Sequence, residues 1–284
     1  MKITLIEANE DLGVKVDGAN LGPNVLTSYF DINTLVVNKP DVIKEKDANN
    51  LKKNLDGINL FDKELYQACL SVKNKNEFPL VIGGDHTVAI PSSLASIKKE
   101  DSLGIIWIDA HADYNTFDTT RTGNIHGLPL AAANGICPLL TTFHDGNYFN
   151  HENTVIVGGR DIDEWEYPNL EKDNITVFTT EDIKKYGVQE IMKKAFAIAN
   201  NGTNGVHISY DLDVIDPKIA PGVSVPAING INEEEAFLIV DELIKNKNII
   251  KSMDLVEFNP TKDINDKTKN IAIKILEKVI KNFS

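Results

Sequence analysis

Short runs of β-branched and other apolar residues recur along the chain, each bounded by polar or turn-forming residues. They predict strands at residues 2–7, 34–38, 78–82, 104–109, 154–158, 176–178, 206–211 and 250–257. Between several of them apolar residues return every three or four positions, which predicts helices at 60–72, 86–99, 181–200, 232–245 and 267–281. Strands apolar on both faces that alternate with helices predict an α/β fold with a parallel sheet covered on both sides. The stretch NNGTNG at 200–205 reads as a turn before a strand, not as a linker. No repeat, low-complexity tract or composition break divides the chain, so residues 1–284 are expected to form one domain.

Composition narrows the function classes. The 29 Lys and Arg against 42 Asp and Glu leave a formal charge of −13, which argues against a sequence-independent hold on nucleic acid or on an anionic membrane. No apolar run approaches the roughly 18 residues of a membrane span. Cys69 and Cys137 lie far apart with no CxxC, which excludes a disulfide framework and a cysteine-built zinc site. The amino-terminal MKITLIEANEDLG lacks the pattern of a signal peptide. A soluble cytoplasmic protein is the expectation.

In open α/β sheets chemistry gathers at the carboxyl ends of the strands, and three predicted strands end in ionisable clusters. Gly83-Gly84-Asp85-His86 follows the third strand, where the glycines allow a tight turn or close backbone approach. Alone, His86 reads as a hydrogen-bonded structural histidine. Asp109-Ala110-His111-Ala112-Asp113 follows the run GIIWI. In extended chain, alternate residues face one side, so Asp109, His111 and Asp113 can converge. Asp211-Leu212-Asp213 repeats that spacing after VHISY. Neighbouring carboxylates at buried strand ends are costly unless a cation compensates them. Two imidazoles and four carboxylates suit Mn²⁺, Co²⁺ or Zn²⁺ at a catalytic centre. Six ligands exceed what one ion with an open position needs, so a pair of ions about 3.5–4 Å apart, and metal-assisted hydrolysis, are expected. The templates GxGxxG, GxxxxGK[ST], HExxH and GxSxG are absent.

The segments GGDHTVAIP (83–91), DAHADYN (109–115) and SYDLDVIDP (209–217) resemble, in order and spacing, the three signature motifs of the ureohydrolase family, which contains arginases and agmatinases. Further similarity at DLGVKVDGANLGP (11–23), GNIHGLPLA (123–131), GGRDIDEWE (158–166) and MDLVEFNP (253–260) extends it over nearly the whole chain. The resemblance implies a three-layer α/β/α fold with a central, mostly parallel sheet of about eight strands. It also implies two Mn²⁺ ions per subunit. His86, Asp109, Asp113 and Asp211 would hold one, and His111, Asp109, Asp211 and Asp213 the other. Glu257 would pair with a substrate guanidinium, Asp113 would take a proton, and His126 would shuttle one to solvent. A homo-oligomer, trimer or hexamer, acting on a small guanidino molecule is implied as well.

Within the family the loops are most similar to those of arginases, which implies hydrolysis of L-arginine to L-ornithine and urea. Asn115, Thr120 and Thr122 match the arginase loop that binds the substrate α-carboxylate, and Asp163 and Glu166 match the acids near its α-amino group. Asp163 could instead cap the next helix. Agmatinase or another guanidino-acid hydrolase is the runner-up. A non-catalytic metal- or amino-acid-binding homologue ranks below it, because no metal ligand is lost. An unrelated dimetal phosphoesterase would need cations near the site, and only Arg121 and Arg160 are close in sequence. Two departures bear on the substrate. Ser224-Val225-Pro226 stands where arginases carry Gly-Thr-Pro, and Arg121 is unusual inside the substrate loop.

Overall fold

Residues 2–47 and 49–284 are described by a computed structural model of the chain. Every predicted strand forms. They are β1 (Ile3–Asn9), β2 (Thr34–Asn38), β3 (Phe78–Gly83), β4 (Gly104–Ile108), β5 (Thr154–Gly159), β6 (Thr176–Thr179), β7 (Val206–Asp211) and β8 (Ile250–Val256). All pair in parallel in one sheet of order β2-β1-β3-β8-β7-β4-β5-β6. The helices are α1 (Gly22–Thr27), α2 (Leu55–Asn74), α3 (Ala89–Glu100), α4 (Pro129–Ala133), α5 (Tyr167–Lys172), α6 (Thr180–Tyr186), α7 (Val188–Ala199), α8 (Glu233–Lys245) and α9 (Lys267–Phe283).

The period-2 alternation of the strands builds two cores, one on each face. Ile106 and Ile108 of β4 pack with α7, α8 and α9, including Ile191, Ile239 and Ile275. Ile105 and Trp107 of the same strand pack with α2, α3 and α4, including Phe61, Leu94 and Leu130. The result is the expected α/β/α sandwich.

Two local differences from the sequence reading have physical causes. The predicted helix 181–200 is two helices, because Gly187 takes φ 83° and ψ 152° between them, outside the helical region. The predicted helix at 86 opens with a 3₁₀ turn, His86–Val88, capped when the Asp85 carboxylate accepts from Thr87 N. Capping also starts α8, where Asn232 and Glu235 form a reciprocal capping box.

The sheet order places the carboxyl ends of β3, β8, β7 and β4 side by side. These four strands lead into Gly84–His86, Glu257, Asp211–Asp213 and Asp109–Asp113, respectively. Chain order reverses there, with β5 and β6 running out on one side and β1 and β2 on the other. Among the described residues no helix is long and apolar enough to cross a membrane. Cys69 and Cys137 are both buried and free.

Candidate functional site

Four adjacent strand tips bring the sequence clusters together. The turn after β3 depends on Gly84, whose added Cβ would lie 1.7 Å from the Glu10 carbonyl oxygen. This close approach carries His86 over the sheet edge. Asp113 and Glu257 sit in left-handed backbone conformations, with φ of 50° and 68°. That strain is sustained by long-range bonds, including Glu257 N donating to Gly84 O at 2.7 Å.

His86 Nδ1 lies 3.0 Å from one oxygen each of Asp109, Asp113 and Asp211. None of the three contacts has hydrogen-bond geometry, so the buried nitrogen has no partner of that kind. A second group places His111 Nδ1 2.9 Å from Asp213 and 3.5 Å from Asp109. Donor atoms of His86, Asp109 and Asp211 lie within 4.8 Å of one another, as do those of Asp109, His111 and Asp213. Asp109 therefore belongs to both groups. Asp211 joins only the first, and its other oxygen accepts from Asp213 N at 2.7 Å. Neighbouring ligands of an ion with bonds of about 2.1 Å stand about 3 Å apart, so this donor set fits divalent cations.

Electrostatics agree. Burial opposes charge on His86, but the close carboxylates of Asp109, Asp113 and Asp211 outweigh it and raise its pKa well above the usual value. His111 behaves likewise, with Asp213 the main opposing influence. Burial and the Asp109 charge push Asp113 up to about 6. Burial and its acidic neighbours raise Asp211 well above the carboxylate range. Crowded acids that hold protons in place of a cation are the expected behaviour of a ligand set without its metal.

Beneath the ligands lies a layer that the sequence reading missed. Trp107 stacks on His86 with ring centroids 4.1 Å apart, and its Nε1 donates to Asp109 at 2.9 Å. Ser209 Oγ donates to Asp254 at 2.5 Å, so it must accept from His86 Nε2 at 2.8 Å. That assignment leaves the Nδ1 lone pair of His86 for a cation. Asp254 also accepts from His207 Nε2 at 3.0 Å and from Ser92. The missed signal is periodic: His207 and Ser209 alternate with Asp211 along one face of β7, and Ser209 is in register with Asp254 of β8.

Above the ligands a cavity of about 200 Å³ is walled by Asn115, Thr120, Thr122, His126, Asp163 and Glu166 beside His111, Asp113, Asp211 and Asp213. All five predicted substrate residues are thus on its wall. Val225 is there too, and among the described lining residues it is the one apolar side chain. His126 Nδ1 donates to Glu257 Oε1 at 3.0 Å, which leaves its other nitrogen free of that bond. Glu257 Oε1 also accepts from His86 N, while its buried Oε2 has no partner among the described residues.

The wall residues are not equivalent. Glu166 is buried, and its two oxygens accept from the backbone N–H groups of Tyr114 at 2.7 Å and Asp163 at 2.9 Å. Burial outweighs those donors and pushes its carboxyl up to about 8. Asp163 accepts from Asn115 Nδ2 at 3.0 Å. It does not cap α5, whose N-cap is Glu166 with no side-chain cap bond. Arg160 donates to the carbonyls of Gly158, Asp213, Ala227 and Ile228. It clamps backbone, which removes it as a phosphate-binding cation.

With this geometry in hand, the comparisons are decisive. The sequence matches the Arginase family over residues 1–281. The chain belongs to the arginase family. It is a metal-dependent ureohydrolase. An arginase from Bacillus caldovelox is 34% identical over 291 residues, covering 96% of each chain. The solved structure of the B. caldovelox arginase superposes with a TM-score of 0.90 at 32% identity, covering 98% of each chain. An arginase from Entamoeba histolytica, solved with L-ornithine, gives 0.90 at 28% identity and covers 98% of this chain and 97% of its own.

Proposed function

We propose that this ureohydrolase is an arginase, cleaving L-arginine to L-ornithine and urea with two Mn²⁺ ions per subunit of a homo-oligomer. The observation that carries the reading is the convergence of three carboxylate oxygens on His86 Nδ1 below a cavity walled by Asn115, Thr120 and Thr122. His86, Asp109, Asp113 and Asp211 would hold one ion, and His111, Asp109, Asp211 and Asp213 the other. A divalent pair, when bound, acidifies water and so supplies a nucleophile near neutral pH.

The remaining steps belong to the chain's own residues. A guanidinium is planar and offers paired N–H donors, and Glu257 Oε2 is a buried acceptor awaiting such donors. Glu257 would orient the guanidinium carbon over the ligand cluster. Asp113 would take the proton that the nucleophile loses. His126 lies on the cavity wall and would carry a proton between the site and solvent, delivering it to the leaving amine. Its bond to Glu257 outweighs burial and raises its pKa, which keeps a proton available near neutrality. Asn115, Thr120 and Thr122 would receive the α-carboxylate and Asp163 the α-amino group. Glu166 would act on the same subsite through the two backbone amides it holds.

Agmatine is the second reading, favoured by Val225, which puts an apolar side chain on the wall. The test is urea release by Mn²⁺-loaded protein from L-arginine, agmatine and γ-guanidinobutyrate. L-arginine is expected to have the highest kcat/KM. Fast turnover of agmatine with none of arginine would refute the assignment. On composition we place the protein, as one domain, in the cytoplasm.

A further inference from the structure

The chain carries 27 lysines and only 2 arginines, Arg121 and Arg160. Each arginine is the sequence neighbour of a residue on the cavity wall. Arg160 makes a fork of backbone bonds that a lysine could not make. Arg121 is different. It is exposed, it sits between the wall residues Thr120 and Thr122, and its guanidinium lies over the Trp165 ring, 4.2 Å from the centroid. Trp165, itself 43% exposed, sits between the wall residues Asp163 and Glu166. The stack therefore joins the two loops that supply these wall residues, with Arg121 and Trp165 just outside the lining itself. Among the described residues, no carboxylate or carbonyl pairs with the Arg121 N–H groups, in a chain with 42 acidic residues. A guanidinium stacked on an aromatic face keeps its edge donors free for a planar anion.

We infer that Arg121, held by Trp165, is a specificity-determining residue whose free N–H edge receives the carboxylate end of the guanidino substrate. The inference rests on the arginase reading and sharpens it. A fixed positive charge at the rim attracts a guanidino acid. It repels a guanidine that ends in an ammonium group, as agmatine does. Trp165 supplies pre-organisation, so that less side-chain freedom is lost when the substrate binds. The contact is at the surface, and salt weakens it.

The experiment compares the wild type with Arg121→Ala, Arg121→Lys and Trp165→Leu, all Mn²⁺-loaded, for kcat/KM on L-arginine and agmatine. Calorimetric binding of L-ornithine and putrescine gives a readout that needs no turnover. In Arg121→Ala the arginine-to-agmatine ratio is expected to fall about tenfold, the scale of one charge-assisted contact at an exposed rim. The loss should appear in KM, with metal content unchanged. Arg121→Lys should recover part of the preference, because the charge stays but the stacked fork is lost, and Trp165→Leu should fall between. A ratio within twofold of wild type in Arg121→Ala, with ornithine binding equally unmoved, overturns the inference while leaving the arginase reading intact. A wild-type enzyme that prefers agmatine overturns that reading instead, and the ornithine and putrescine affinities then still decide whether Arg121 recognises a carboxylate.

Discussion

The floor and the rim of the cavity are built on opposite plans. On the floor, side chains from four strand tips are locked by bonds between residues far apart in sequence, such as His86 to Ser209 and Glu257 to His126. The rim is held largely by short loops bonding to themselves. Thr120 accepts from Gly123, Thr122 from Asn124, and Glu166 from Asp163. A floor made of long-range bonds tolerates little change, because each side chain serves several partners. A rim made of local turns can exchange residues at small cost. Metal chemistry is therefore expected to be invariant to rim substitutions, with substrate choice adjustable there.

The sharpest test of that division is Asp109→Ala, which removes the residue common to both ligand groups. Elemental analysis should find both ions lost, and urea release should fall on the order of a thousandfold or more, since the nucleophile depends on them. Retention of two tightly held ions would contradict the shared-ligand geometry. Asp254→Asn reaches the floor from behind. Its carboxylate accepts from Ser209, His207 and Ser92, which an amide cannot all satisfy. Metal affinity read by Mn²⁺ electron paramagnetic resonance should fall about 10–100-fold, with KM for substrate unaffected once the site is saturated with Mn²⁺.

Acidity gives the next contrast. In the metal-free chain, Asp113 is pushed up to about 6, and His86 and His111 are raised well above the usual histidine value. A cation must displace those protons, so affinity should weaken as pH falls from 8 to 6, by about tenfold per unit for each proton released. Titrations of the rim variants should follow the same curve. If a rim variant shifts it, floor and rim are coupled after all.

Smaller effects should mark the rim itself. Glu166→Gln leaves one backbone N–H of Tyr114 or Asp163 facing an amide group, a cost of about 1–3 kcal/mol. Thermal unfolding should move down by several degrees and KM for arginine should rise. Thr122→Val deletes one exposed hydroxyl, and KM should change only about threefold, the scale of a single neutral hydrogen bond. A larger loss in kcat than in KM would place Thr122 in the chemistry and break the division.

Legibility in the sequence followed the range of the interactions involved. Asp109, His111 and Asp113 were readable because three potential ligands fall within five residues of a strand end, a local property, although the chain bends there and Asp113 takes φ 50° instead of continuing extended. The floor's supporting layer was not. His207, Ser209 and Asp254 look like polar interruptions of apolar strands until the register of β7 and β8 places them together. The break at Gly187 was hidden because the apolar spacing continues across it, and only the backbone angle shows that the helix stops. Glu166 was read as facing substrate, and it does lie on the cavity wall, but nothing in the spacing announced that its oxygens also hold two backbone amides.

By itself, then, the chain's pattern determined a two-faced parallel sheet with acids and imidazoles at its strand tips, since side-chain direction in a strand depends only on neighbouring residues. Tertiary structure alone decided that β3, β8, β7 and β4 stand in that order. It also decided which oxygens surround His86, and that Arg121 lies on Trp165. Strand order and contacts between loops arise from pairing distant segments, and no local spacing encodes which segments will meet.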